Sequence, residues 1–230
     1  SSAASDVYKR QIFSAPGRSE VGGNHTDHQH GQVLAASINL DAIAIVAKTS
    51  DDKIQVISDG YDLITIDASD LSLVESEKET TTALIKGVAA GLKEHGHAVG
   101  GFKAYITSDV LIGAGLSSSA AFETIIGTIL SGLYNNGSVS AIEIAIIGQY
   151  AENVYFGKPC GLMDQMASSV GNIITIDFAD KANPDVEPVQ VDFSKAGLAL
   201  CILDSGADHA DLTDEYAAMP IDCLLYTSDA

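Results

Sequence analysis

The chain has 230 residues, and 46% of them are hydrophobic, which is enough for a sizeable core and too apolar for a disordered segment. Its 31 acidic residues outweigh 12 basic ones for a net charge of −19, so neither nucleic acid nor an anionic membrane surface is expected as a partner. Three scattered cysteines with no CxxC pair point away from a disulfide framework and towards a reducing, cytoplasmic setting, and no apolar run reaches the ~18 residues of a membrane-spanning helix.

The opening "SSAASDVYKRQ" reads as the translation of a common transposon-based sequencing adapter. The closing "CLLYTSDA" reads as that of its opposite strand. Residues 1–11 and 223–230 are therefore expected to be read-through, with 12–222 as the native stretch. Within it, "GGNHTDHQHG" at 22–31 packs His25, His28 and His30 between glycines. Their spacings of three and two come with no HxxxH, no CxxC and no obvious fourth ligand, so zinc is the weaker reading. A polar turn, or a set of donors and acceptors facing a sugar, is the stronger one.

Residues 42–49, 53–58 and 62–67 read as strands, and 80–96 as a helix with Leu84, Val88 and Leu92 at helical spacing and Gly96 as its stop. Residues 101–109 alternate as a strand. The Gly-rich turn of "LIGAGLSSSAAFE" (111–123) then runs into a nearly all-round apolar helix. The next helix, 140–157, opens with Ser140 and has Glu143 three residues on, a capping-box pattern. Strands are expected at 172–178 and 198–204 and a helix at 211–219, with 181–190 as a surface loop. Strands followed by mixed helices and strands describe a layered α+β domain.

Taken alone, "LIGAGLSSSAAFE" is either a capped helix after a tight turn or a phosphate cradle, because glycines allow close approach and free N–H groups of a first helical turn attract anions. It is neither a Walker loop nor a dinucleotide fingerprint, as it has no GxxxxGK[ST] and no third glycine. Asp164 alone reads equally well as a helix-capping acid. Cys160 has no histidine arranged beside it in the sequence and reads as a packing residue.

Four segments together resemble the galactokinases of the GHMP small-molecule kinases. "GxGLSSSA" is similar to their nucleotide loop, with Leu111 where proline is usual. "APGRSEVGGNHTDHQHG" (15–31) resembles the sugar signature APGR-N-x-x-GEHTDY-x-x-G and matches it at Ala15, Pro16, Gly17, Arg18, Gly23, His25, Thr26, Asp27 and Gly31. It departs from that pattern at Glu20 and Asn24, where the family has Asn and Glu. "AENVYFGKPCGLMDQMASSVG" (151–171) resembles the segment around CG[IL]MDQ, and 204–220 the segment that carries a sugar-contacting tyrosine.

The resemblance implies a GHMP kinase N-terminal domain (ribosomal protein S5 domain 2-like) in residues 12–222, with the start of a second lobe whose remainder is absent. It implies ATP-dependent phosphorylation of the anomeric hydroxyl of galactose, with ATP and Mg²⁺. The full-length protein is expected to be a monomer, and this chain alone to be inactive. Asp164 and Arg18 would be catalytic. Asn24, His25, Thr26, Asp27, Gly161 and Tyr216 would contact the sugar. Gly113, Ala114, Gly115, Leu116, Ser117, Ser118 and Ser119 would hold the nucleotide, and Ser119 with Glu152 the metal. A GHMP kinase for another sugar, such as N-acetylgalactosamine, and a catalytically idle galactose sensor are the alternatives.

Overall fold

Ile54, Val56, Ala42, Ala44, Val46, Phe102, Ala104 and Ile106 alternate along three strands and are all buried on one side. That period-2 pattern forces a sheet with one covered face. The computed structural model describes residues 10–23, 25–111, 115–193, 195–201, 203 and 218. Its strands are β1 (Arg10–Gly22), β2 (Gln32–Lys48), β3 (Lys53–Ser58), β4 (Ile64–Asp67), β5 (Phe102–Ser108), β6 (Ile173–Asp177) and β7 (Asp185–Pro188). Its α-helices are α1 (Thr81–Glu94), α2 (Ser118–Tyr134), α3 (Ala141–Tyr150) and α4 (Met163–Val170).

The long β2 organises the seven-stranded sheet. It pairs antiparallel with β1 along one side. On the other side its first half pairs with β6 and its second half with β5. β5 pairs parallel with β3, β3 antiparallel with β4, and β6 antiparallel with β7. The inward sheet residues share one core with Ile85, Val88 and Leu92 of α1 and Ile125, Ile126, Ile129 and Leu130 of α2. A second core joins Val33, Ala35, Ile174 and Ile176 of the sheet to Met163, Met166 and Ala167 of α4. This is the layered α+β architecture expected from the order of elements.

Two helices carry side-chain caps, one of them the expected Ser140. The Thr80 hydroxyl accepts from Ala83 N, and the Ser140 hydroxyl from Glu143 N at 3.1 Å. The Glu143 carboxylate does not reach back to the cap. It accepts from His95 and His97 at 3.0 and 2.9 Å and so ties the end of α1 to the start of α3.

Four expectations are corrected. Strand β2 begins at Gln32, ten residues before the expected start at residue 42, and β1 is a full strand. The expected helix 140–157 ends as an α-helix at Tyr150 and widens into a π-helical segment, Ala151–Phe156. The stretch 181–190 is not all loop, since Asp185–Pro188 pairs with β6. Residues 198–201 and 203, expected as a strand, lie in no regular element, and Leu198, Leu200 and Leu203 are exposed. Apolar alternation makes a strand only where a neighbour accepts its backbone bonds. Residues 211–219, expected as a helix, lie outside the described residues except for Ala218. Arg10 and Gln11, expected as read-through, pair with Ala47 and Val46 in the sheet.

Candidate active site

Arg18 reaches the site because β1 is irregular there. The β1–β2 register shifts between Pro16 and Arg18. Gly17 lies against the loop before α2, and a Cβ on it would stand 3.0 Å from both Leu116 O and Val110 Cγ1. Arg18 N donates to Leu116 O at 3.2 Å, which binds the bulge to that loop. A β-bulge re-aims a side chain, and Arg18 is buried although it is charged.

Its guanidinium meets Asp164 in a two-point fork. Nε donates to Oδ1 at 2.7 Å and Nη2 to Oδ2 at 2.6 Å, while Nη1 donates to Gly115 O at 2.7 Å. Asp164 lies in the first turn of α4, which is pinned to β1 by Ser168 Oγ donating to Pro16 O at 2.7 Å. The Ser117 hydroxyl also donates to Asp164 Oδ2, at 2.5 Å. Burial alone would raise the Asp164 carboxyl. The Arg18 charge, its hydrogen bonds and the Ser117 hydroxyl outweigh burial and hold the group below the ordinary carboxylate range. Asp164 is therefore ionised at neutral pH, the state a proton acceptor needs.

Ser117 itself is in the left-handed region, at φ 55° and ψ 57°, immediately before α2. A non-glycine residue there is strained, and such strain concentrates at functional sites. It turns the Ser117 side chain away from capping its own helix, since no side-chain cap bond forms, and towards Asp164. The first-turn N–H groups of α2 stay available beside the fork. Gly115, Leu116 and Ser117 thus bond to the Arg18–Asp164 pair, and Ser118 and Ser119 follow in the first turn of α2. Gly113 and Ala114 lie outside the described residues.

Glu152 sits on the π-helical segment and is buried. Its Oε1 accepts from Ser119 Oγ at 3.3 Å and its Oε2 from Gln165 Nε2 at 2.9 Å. Burial raises this carboxyl, with Lys158 and the Cys160 and Ser119 contacts opposing. A carboxylate oxygen and a hydroxyl at this spacing suit a hard oxygen-seeking cation such as Mg²⁺, which usually takes one or two protein oxygens and completes its shell with phosphates and water. Among the described residues, no group of three or more His, Cys, Asp and Glu side chains is arranged to hold a metal ion.

Of the expected sugar residues, His25, Thr26 and Asp27 occupy the turn between β1 and β2. His25 is left-handed at φ 53°, and its Nε2 lies 3.3 Å from Glu20 Oε2. The Thr26 hydroxyl donates to Gln32 O at 3.3 Å and so helps close the turn. Asp27 is buried, and its Oδ2 accepts from the backbone N–H groups of Leu162 and Met163 at 2.9 and 3.4 Å. It therefore holds the start of α4, one residue from Asp164. Gly161 is required for this approach, because a Cβ there would fall 1.7 Å from Asp27 Oδ2. A cavity of about 220 Å³ is lined by Asp27, Gln149, Gly161, Leu162, Phe178 and Lys181. Arg18 and Asp164 are not part of that lining. Asn24 and Tyr216 lie outside the described residues.

Two features were not anticipated from sequence. The first is the Glu20–His25 pair. The second is Gln165, which is buried between Glu152 and Glu123. Cys160 stays inert in this setting, because burial pushes its thiol far up, with the charges of Glu152 and Glu123 adding to the effect.

An arginine-clamped carboxylate beside the N-terminus of a helix entered through a Gly-Ser loop is an arrangement for handling a phosphoryl group. Residues 83–172 match the GHMP kinases N terminal domain. Over those residues the chain is similar to the GHMP kinases. Residues 5–48 of the same chain match the galactokinase galactose-binding signature. The chain is 31% identical over 212 residues to a galactokinase of Streptomyces coelicolor, an alignment that covers 92% of this chain and 54% of that protein. The chain also superposes on a crystal structure of Lactococcus lactis galactokinase complexed with galactose, with a TM-score of 0.71 and 28% identity, covering 81% of this chain and 49% of that one. Methanococcus jannaschii mevalonate kinase shares the fold, with a TM-score of 0.65 at 18% identity over 82% of this chain and 58% of that one. The chain thus spans about half the length of the galactokinases it matches.

Proposed function

We propose that this domain belongs to a galactokinase, which transfers the γ-phosphoryl group of ATP to the anomeric hydroxyl of galactose. The observation that carries the reading is the two-point Arg18–Asp164 fork set against the strained Ser117 at the head of α2. Asp164 would accept the proton of the anomeric hydroxyl as that oxygen attacks phosphorus. Arg18 keeps Asp164 ionised and faces the charge that develops on the transferring group. The loop at 115–119 and the first turn of α2 would cradle phosphate oxygens. Mg²⁺, held by Glu152 and Ser119, would screen phosphate charge when bound.

Asp27, His25 and Gly161 support a sugar as the acceptor, together with the galactose-binding signature over 5–48. Asp27 acts partly by fixing α4, so its effect on sugar binding includes the placement of Asp164. Asn24, Thr26 and Tyr216 are proposed as further sugar contacts, and Gly113 and Ala114 as part of the phosphate cradle. The intact fork, Glu152 and serines favour a catalyst over an idle sugar sensor. The cytoplasm and a monomeric full-length protein are proposed with it. The test is an ADP-release assay on the full-length protein with galactose, N-acetylgalactosamine, glucose and mevalonate. Turnover with galactose well above the rest is expected. Turnover with another acceptor alone would replace the substrate, and none with any acceptor would favour the sensor.

A further inference from the structure

Three polar side chains meet in the interior behind the active site. Glu123 of α2, Glu152 of the π-helical segment and Gln165 of α4 are all buried to within 4% exposure. Gln165 Nε2 donates to Glu123 Oε2 at 3.0 Å and to Glu152 Oε2 at 2.9 Å. It also lies 3.7 Å from Cys160 Sγ. An amide nitrogen carries two hydrogens, and both are used on carboxylate oxygens. The amide oxygen is turned away from both carboxyls.

The fold makes room for this group. Gly148 of α3 faces it, and a Cβ there would stand 3.1 Å from Gln165 Cγ and 3.2 Å from Glu123 Oε2. Burying two carboxyls and an amide costs stability that an apolar trio of the same volume would not. Glu123 Oε1 and Gln165 Oε1 are left with no hydrogen-bond partner, which adds to that cost. What the arrangement achieves is orientation. With Oε2 of Glu152 held by Gln165, the other oxygen, Oε1, is the one presented to Ser119 Oγ. Gln165 is also the residue after Asp164, so one turn of α4 sets both groups.

We propose that Gln165, anchored on Glu123, is a positioning residue that holds one oxygen of Glu152 and thereby aims the other at the metal side of the serine loop. The proposal rests on the kinase reading, in which Glu152 and Ser119 receive the nucleotide-bound cation. Partners that orient a metal ligand typically contribute 10–100-fold in metal affinity.

The experiment measures Mn²⁺ binding to the full-length protein by electron paramagnetic resonance with a non-hydrolysable ATP analogue, alongside galactose binding by calorimetry and the thermal midpoint. Gln165→Leu is expected to weaken Mn²⁺ by about 10-fold or more and to leave galactose affinity unchanged. Gln165→Glu keeps the shape but offers at most one hydrogen where the amide offers two, and should weaken Mn²⁺ in the same way. Glu123→Leu should do likewise, whereas Glu123→Gln keeps a carbonyl acceptor for Gln165 and should restore near-parental Mn²⁺ binding. Parental Mn²⁺ affinity in Gln165→Leu and Gln165→Glu would overturn the proposal. So would equal losses of Mn²⁺ and galactose affinity with a lowered midpoint, which mark a merely structural role. Failure of the parent to phosphorylate galactose would count against the substrate reading alone, because the Mn²⁺ measurement needs no turnover.

Discussion

Arg18 and Asp164 are 146 residues apart in sequence and 2.6 Å apart in space. Asp164→Asn keeps the size of the side chain and removes the proton acceptor. In the full-length protein it should lower turnover by about 10²–10⁴ while galactose binding persists, as measured by ADP release and calorimetry. Undiminished turnover would remove Asp164 from the mechanism. The same variant has a pH signature. The folded Asp164 carboxyl lies below its ordinary value, so ionisation contributes stability at neutral pH. That contribution is present above the ordinary carboxylate range and is lost as pH falls through the lowered folded value. The thermal midpoint of the parent should therefore drop more steeply on acidification than that of Asp164→Asn. Equal slopes would mean that the fork adds nothing to folding. At Glu20, the part-exposed contact with His25 is worth roughly 1 kcal/mol. Glu20→Gln should raise the KM for galactose about fivefold with kcat nearly constant, and an unchanged KM would detach the pair from the sugar.

Glu152 depends on how closely α1 approaches the π-helical segment. A Cβ on Gly87 would stand 2.7 Å from the backbone Cα of Ala151 and 3.0 Å from Tyr155 Cβ. Two effects compete in Gly87→Ala. Helix propensity favours alanine by about 0.8–1 kcal/mol, while overpacking against a neighbouring backbone costs typically 1–3 kcal/mol. Backbone cannot swing aside as a flexible side chain can, so the clash should win. Denaturant unfolding should show a net loss of order 1 kcal/mol, and a gain would mean that the helices separate freely. At Gly161 nothing offsets the clash with Asp27, so Gly161→Ala should cost at least as much and release the start of α4.

At the scale of the whole molecule, the outer sheet face carries an apolar row. Ile12 pairs with Ile45, Ile45 with Tyr105 and Tyr105 with Ile57, and each is at least 39% exposed. Contiguous exposed apolar surface favours association. The chain should therefore associate by light scattering, with Ile12→Thr and Ile45→Thr together reducing association. A monodisperse chain would show that this row does not drive association.

The site was legible where chemistry is local. The Gly-Ser loop, Arg18, Asp27 and the Asp164 segment each stand in a continuous stretch with a recognisable pattern, and the α+β class followed from the order of periodic segments. Capping at Ser140 was equally plain, because a cap involves neighbours three residues apart. Register and bulges were not legible. The start of β2 at Gln32, the pairing of Asp185–Pro188 and the unpaired backbone at 198–201 depend on which strand lies alongside. The partners of a side chain were not legible either. The resemblance marked Asp27 as a sugar contact, and no pattern announced that its Oδ2 also accepts from the backbone of α4. Gln165 stood in a matched segment, but its pairing with Glu123 carried no local signal, since 42 residues separate them and only the packing of α2 against α4 brings them together. Resemblance of short segments to a known family indicated the kind of chemistry, and periodicity the layers that hold it. Long-range packing decided which oxygen faces which partner, because hydrogen-bond geometry is set by distances of a few tenths of an ångström that no spacing along the chain encodes.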